Sequence, residues 1–183
     1  MALSHAILTG LLDTPQSGYE LARSFETSLG FFWSASHQQI YQELRKLRTA
    51  GLVEATPVPQ SGRPDKQLYR LTDAGRDELE AWIRGDTRRK AAKDDLLVKL
   101  YNVGHAEAGP ILEALRTRRQ EHGERLALYE KIRARHYARP AELPESKKGV
   151  YLALEAGLRT ERMWLEWCDD ALGFLEPERI QGV

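Results

Sequence analysis

The stretch from residue 36 to residue 71 constrains the fold most strongly, because a two-faced helix is followed immediately by two short strands. Ser36 with Gln39 three positions later predicts the start of the helix, since the side chains of a capping box satisfy free backbone N–H groups there. Gly51 predicts its end, because glycine readily takes the left-handed conformation in which many helices finish. The alternating runs LVEATPVP and QLYRL flank the loop PQSGRPDK and predict a β-hairpin.

Further helices are predicted on both sides of this stretch. The segments SHAILTGLL and GYELARSFETSLG carry apolar residues at helical spacing, and the turn residues of DTPQSG separate them. Gly30 is placed to end the second helix, and Thr72 predicts the start of a fourth, DAGRDELEAWIR. Three helices, a hairpin and another helix follow the order of a winged helix-turn-helix domain. We therefore predict such a domain over residues 1–85, in a chain that is mainly α-helical.

The second half, residues 86–183, is predicted to be α-helical throughout. One short helical segment covers 91–103 and two long ones cover 106–137 and 146–175, with the proline-containing loop ARPAELPES between the long ones. The last helix carries one apolar stripe of Tyr151, Leu154, Leu158, Leu165, Cys168, Leu172 and Leu175, and a second of Trp164, Trp167, Ala171 and Phe174. A helix that is apolar on two sides needs two partners. We interpret one partner as the same chain and the other as a second subunit, which predicts a homodimerisation domain.

The composition excludes several classes of protein. With 27 basic and 27 acidic residues the net charge is zero, which excludes a strongly basic nucleic-acid binder but allows a local basic face. No apolar run approaches the roughly 20 residues that span a bilayer, and the N-terminal residues lack the features of a signal peptide. Cys168 is the one cysteine, so a reducing cytoplasm without a membrane partner is expected, and we interpret its side chain as part of the core.

The sequence carries no recognisable catalytic or metal-binding motif. Its histidines, at positions 5, 37, 105, 122 and 136, are scattered, and no HExxH, P-loop, GxSxG or cysteine-rich pattern occurs. We therefore expect neither an enzyme, nor a metal site, nor a bound cofactor.

One face of the helix that starts at Ser36 is suited to a polyanion. Its core side is predicted to consist of Ile40, Leu44 and Leu47, and its opposite side carries Gln38, Tyr41, Gln42, Arg45 and Arg48, with His37 at the N-terminal edge. Glu43 is rotated by about 160° from Arg45, so the acid lies off that side. Gln and Arg can bind base edges, hydroxyl groups suit phosphates, and the helix N-terminus attracts anions.

Two other interpretations compete with DNA binding. Any amphipathic surface helix has a polar face, and winged folds also serve as protein–protein adaptors that bind no DNA. The loop SGRPDK argues for DNA, because it places Arg63 and Lys66 where a wing can contact the minor groove or the backbone. The absence of an acid from the polar face argues the same way, since an adaptor has no reason to exclude Glu43 from it. RNA binding lacks its expected exposed aromatic sheet motifs.

The sequence also resembles a known family. The carrying residues are Gly18-Tyr19-Glu20-Leu21 and the segments FWSASHQQIYQELRKLRTAGLV, LYRLTDAGRDELEAWI, KDDLLVKLY and YLALEAGLRTERMWLEW. They resemble the PadR family of bacterial transcriptional regulators, in particular the phenolic-acid-responsive repressors with long C-terminal domains. The resemblance implies that the third helix enters the major groove of an operator and that Ser36, His37, Tyr41 and Lys66 contact the DNA. The full set of predicted DNA-binding residues is Ser34, Ser36, His37, Gln38, Tyr41, Arg45, Arg48, Arg63 and Lys66.

The resemblance further implies a repressor that a small aromatic effector, such as a phenolic acid, releases from DNA. The candidate effector-binding residues are Tyr19, Phe32, Trp33, Arg159, Trp164 and Trp167. For Phe32 and Trp33 a purely structural role is the favoured interpretation, because aromatic residues just before a recognition helix usually fill a core.

Overall fold

The computed structural model describes residues 2–27, 35–59, 66–86, 94–105 and 107–176. The chain divides into two compact units, Met1–Arg88 and Arg89–Val183. Both are mainly helical, and a small sheet lies in the first unit. The predicted fold class is confirmed.

The first unit has the predicted order of helices and hairpin. Its elements are α1 (Ala2–Gly10), β1 (Gln16–Ser17), α2 (Gly18–Thr27), α3 (His37–Thr49), β2 (Val53–Val58), β3 (Lys66–Leu71) and α4 (Asp73–Arg84). Strands β2 and β3 pair antiparallel, with Val53 opposite Leu71. The short strand β1 adds to the other edge of β3, with Gln16 opposite Tyr69. Strand β1 was not predicted, because two residues are too few to show a strand pattern and turn residues surround them.

Both ends of α3 form as predicted. The Ser36 Oγ accepts the Gln39 backbone N–H at 3.2 Å, and the Ser36 N–H donates to the Gln39 Oε1 at 2.8 Å. At the other end Gly51 has a φ of 72°. The Gly51 N–H donates to the Arg48 carbonyl and the Leu52 N–H to the Leu47 carbonyl, which is the Schellman pattern. The predicted C-cap of α2, Gly30, lies outside the described residues.

The core of the first unit receives residues from all its helices and from the hairpin. It contains Ile7, Leu8, Leu11, Leu21, Ala22, Phe25, Ile40, Leu44, Leu47, Val53, Tyr69, Leu71 and Leu79. The predicted core side of α3 is therefore confirmed, which fixes the opposite side of the same helix toward solvent.

The second unit is built around two long helices. Its elements are α5 (Asp95–Leu100), α6 (Ala108–His136), a 3-10 turn (Pro140–Glu142) and α7 (Glu145–Leu175). The ion pairs Arg162–Glu130 and Arg133–Glu155 join α6 to α7. Among the buried side chains are Leu96, Ile111, Leu115, Tyr129, Leu154, Leu158 and Cys168.

The position of Cys168 agrees with the predicted core role. Its side chain is fully buried, and burial raises the pKa of its thiol. Among the described helices, none is long and apolar enough to cross a membrane.

Candidate nucleic-acid interface

The exposed side of α3 carries the predicted polar face. The exposed residues of this face are His37, Gln38, Tyr41, Gln42, Arg45 and Arg48. The buried Ile40, Leu44 and Leu47 hold the helix against the core, so the face is presented by a rigid element. We refer to these six exposed residues as the α3 face.

The α3 face carries positive charge that no acid among the described residues neutralises. Within the described residues, neither the Arg45 nor the Arg48 guanidinium has a hydrogen-bonded or ion-paired partner. The acid of the same helix, Glu43, has a side chain only 19% exposed, and its Oε2 lies 3.1 Å from the Lys46 Nζ. Elsewhere in the unit, the Arg70 Nε donates to the Glu54 Oε1 at 2.6 Å. The two unpaired guanidinium groups can therefore bind an external anion without first breaking an internal pair.

The N-terminus of α3 provides a phosphate-binding geometry. The Ser36 Oγ accepts one hydrogen bond from the helix, so the hydroxyl hydrogen is still available to a phosphate oxygen. The backbone N–H groups of the first turn of α3 point out of the N-terminal end of the helix. The positive end of the helix dipole also favours an anion there.

Two of the predicted DNA contacts have partners inside the unit. The Lys66 Nζ donates to the Glu20 Oε1 at 2.8 Å. The hydrogen bond from Lys66, together with smaller contributions from the Ser17 bonds, lowers the pKa of the Glu20 carboxyl to about 2. The Tyr41 side chain is 39% exposed, and its ring lies against Gly18, where an added Cβ would be 2.8 Å from the ring Cζ. Both residues therefore contact the start of α2.

Four of the predicted site residues lie outside the described residues. They are Ser34 and Arg63 of the DNA-binding set and Phe32 and Trp33 of the effector set.

The remaining candidate effector residues fall in separate units. Tyr19 is an exposed residue of the first unit, and Arg159 is an exposed residue of the second. In the second unit Trp164 and Trp167 meet edge to face, with ring centroids 5.3 Å apart. The Trp164 ring also stacks parallel to His122 at 5.4 Å, with the Arg118 guanidinium 5.4 Å from its centroid.

A buried polar cluster that was not predicted lies beside these tryptophans. His122 and Glu161 are both buried, and the His122 Nδ1 is hydrogen-bonded to the Glu161 carboxylate. The Arg125 Nε donates to the same carboxylate at 3.2 Å, while the His122 Nε2 has no partner within the described residues. No sequence signal joins His122 to Glu161, because their contact is made only when α6 packs on α7. In the described part of the chain, no cluster of His, Cys, Asp and Glu could hold a metal ion.

A second missed feature was visible in the sequence. The motif SGYE is a capping box, in which the Ser17 Oγ accepts the Glu20 N–H at 3.2 Å and the Glu20 Oε2 accepts the Ser17 N–H at 2.8 Å. It starts α2 and fixes the carboxylate that Lys66 contacts.

Two family models match the chain in succession. The model described as "Transcriptional regulator PadR-like family" matches residues 7–81, and "Virulence activator alpha C-term" matches residues 92–176.

Named relatives match over nearly the whole chain. The probable transcriptional regulator Rv1176c of Mycobacterium tuberculosis is 38% identical, over 98% of this chain and 100% of its own length. The negative transcriptional regulator PadR of Bacillus subtilis is 32% identical, over 96% of this chain and 98% of its own.

Solved structures of relatives match equally broadly. The B. subtilis PadR complex with operator DNA superposes with a TM-score of 0.75 at 28% identity, covering 96% of this chain and 99% of that one. The same PadR has been solved with p-coumaric acid, with a TM-score of 0.67 at 28% identity and 95% coverage of both chains. The Vibrio cholerae virulence activator AphA has a TM-score of 0.77 at 33% identity, covering 96% of this chain and 98% of its own.

Proposed function

This chain belongs to the PadR-like family of transcriptional regulators, and we propose that it binds a double-stranded DNA operator through the α3 face. It is thus a member of a regulator family rather than an enzyme. The observation that carries the proposal is that the guanidinium groups of Arg45 and Arg48, on the exposed side of α3, have no ion-pair partner in the part of the chain that the structure describes. The solved complex of B. subtilis PadR with operator DNA supports it. With chromosomal DNA as its partner, the regulator would act in the cytoplasm.

Base recognition and phosphate binding would fall to different residues of the α3 face, of its N-terminus and of the loop between β2 and β3. Gln38 and the two arginines have the side-chain geometry to make paired hydrogen bonds to base edges in the major groove. The hydroxyl of Ser36 and the first-turn amides would hold a phosphate and so fix the register of the helix on the duplex. Arg63 would extend the contact to the backbone or the minor groove.

We propose that the regulator is a homodimer joined through the second unit. Leu152, Met163 and Phe174 of α7 are 65%, 53% and 83% exposed. They lie eleven residues apart, which is close to three helical turns, so they form one stripe along the helix. A second copy of the chain would bury this stripe, and a twofold dimer would present two α3 faces to the half-sites of a palindrome.

We also propose that the protein is a repressor and that a small aromatic effector releases it from the DNA. The crystal structure of B. subtilis PadR with p-coumaric acid supports this choice of ligand class. An effector changes DNA occupancy only if it binds better to a state that holds the operator less well. The described candidates with an aromatic ring to offer such a ligand are Tyr19 in the first unit and Trp164 and Trp167 in the second.

DNA binding is tested by titrating the full chain into labelled duplexes from the region upstream of its own coding sequence. We expect Arg45→Ala and Arg48→Ala each to weaken binding by about 1–3 kcal/mol and to reduce the salt dependence. The matched control is Arg84→Ala, because Arg84 lies on α4, is paired with Glu80 and carries the same charge. An unlabelled duplex of unrelated sequence measures specificity.

The adaptor interpretation makes the opposite prediction. If the protein binds no duplex, or if Arg84→Ala weakens binding as much as Arg45→Ala does, the α3 face is not the reading surface. The polar face would then serve a protein partner instead.

A further inference from the structure

The Glu20 carboxylate joins two elements that are far apart in the sequence. Its Oε2 accepts the backbone N–H and the hydroxyl of Ser17, both at 2.8 Å, and so belongs to the capping box of α2. Its Oε1 accepts from the Nζ of Lys66, 46 residues away, at the first position of β3. The Glu20 carboxylate, held by the capping box, therefore fixes the side chain of Lys66 at the start of β3.

Gly18, which follows Ser17 in the same capping box, lies against a residue of α3. The Tyr41 ring lies against Gly18, the first residue of α2, where a Cβ would come within 3.0 Å of the Tyr41 Cδ1. Tyr41 belongs to the α3 face, and Lys66 borders the hairpin loop. The start of α2 thus contacts one residue from each of the two surfaces that a winged domain uses on DNA.

We infer that Glu20 is a positioning residue for DNA binding, which holds Lys66, at the start of β3, in the orientation that the operator requires. The inference rests on the proposed function. Glu20 itself would not contact the DNA, because phosphate groups repel a carboxylate. Lys66 keeps further ammonium hydrogens for a phosphate while one of them is held by Glu20.

Glu20→Gln is the informative substitution because it separates the two functions of the carboxylate. A glutamine still accepts the Ser17 N–H in an S-x-x-Q capping box, so α2 keeps its start. The ion pair with Lys66 is lost. Simple electrostatics predicts that removing a negative charge strengthens binding to a polyanion, whereas loss of positioning weakens it. The two effects therefore have opposite signs.

The experiment is a double-mutant cycle on operator affinity with Glu20→Gln, Lys66→Met and the double variant. We expect Glu20→Gln to weaken binding about twofold to fivefold per subunit, the range of an exposed ion pair. The double variant should bind no more weakly than Lys66→Met alone, because Glu20 acts through Lys66. The melting temperature of Glu20→Gln should fall by no more than about 2–4 °C. The variant therefore stays folded at the assay temperature, which separates positioning from a general loss of folded protein.

Several outcomes would overturn the inference. Unchanged or tighter operator binding by Glu20→Gln would show that the pair restrains nothing that DNA needs. Losses that simply add in the double variant would show that Glu20 acts independently of Lys66. If the wild-type chain binds no duplex, the proposed function itself fails. In that case amide hydrogen exchange of residues 66–71 tests whether Glu20 anchors β3. Lower protection in Glu20→Gln than in the wild type would support the anchoring, and unchanged protection would contradict it.

Discussion

At the scale of single residues, the ionisation of Glu20 links stability to pH. Bonds from Lys66 and Ser17 lower the pKa of its carboxyl from 4.5 to about 2. The pair therefore stabilises the folded state fully above pH 4.5, and this contribution is lost as the pH falls toward 2. Because the Glu20 side chain is 46% exposed, solvent limits the effect to at most about 1 kcal/mol.

Urea unfolding of the wild type and of Glu20→Gln at several pH values tests this link. We expect the difference in unfolding free energy to be constant near neutral pH and to shrink below pH 4.5. A difference that is the same at all pH values would show that the charge of Glu20 contributes nothing.

A side chain at Gly18 should destabilise the protein, although Gly18 lies at a helix start where alanine is normally acceptable. A Cβ there would be 2.8 Å from the Tyr41 Cζ, so Gly18→Ala forces the ring to move. We expect a loss of about 1–3 kcal/mol in unfolding free energy. Gly149→Ala in α7 is the control, because its Cβ meets nothing within 4 Å, and it should stabilise by about 0.5–1 kcal/mol. Equal effects of the two changes in thermal unfolding would contradict the close contact.

At the scale of elements, Thr72 connects the end of α3 to the start of α4. Its Oγ1 accepts the Gly75 N–H at 3.1 Å and donates to the Gly51 carbonyl at 2.7 Å. Thr72→Ala removes both bonds and should lower the unfolding free energy by about 1–2 kcal/mol. Thr72→Ser keeps the hydroxyl and should lose much less, as denaturant titration would show. A serine variant as unstable as the alanine variant would mean that the methyl group, not the hydroxyl, matters.

The elements also show what could be predicted from the sequence and why. Helix α3 was predicted from its capping box to its C-terminal glycine, because caps and apolar periodicity are local signals. Strand β1 was missed, since its two residues form a strand only by pairing with the edge of β3. The partners of Tyr41 and Lys66 were missed for the same reason. Both contacts join α2 to elements that are distant in the sequence. The capping box of α2, in contrast, could have been predicted from the motif SGYE.

At the scale of the whole molecule, the exposed stripe of α7 predicts how the chain assembles. A glutamate at Met163 would be buried in the proposed dimer, at a cost of several kcal/mol for an unpaired charge. We expect Met163→Glu to shift sedimentation from dimer to monomer and to weaken operator binding with it. Ala127→Glu on the exposed surface of α6 is the control and should remain dimeric. A wild-type chain that sediments as a monomer at high concentration would refute the assembly.

The proposed effector couples to DNA through the whole molecule, so its effect must be reciprocal. A tenfold loss of operator affinity in the presence of ligand needs a coupling of about 1.4 kcal/mol. The operator must then weaken effector binding by the same factor, because operator and effector shift the same equilibrium between two states of the protein. We expect titration calorimetry with p-coumaric acid to give about tenfold weaker binding to the operator complex than to the free protein. A non-aromatic carboxylic acid of similar size should bind neither form, since it cannot stack on aromatic rings. Equal affinity of p-coumaric acid for both forms would exclude it as an effector, because a ligand without preference between two states shifts neither.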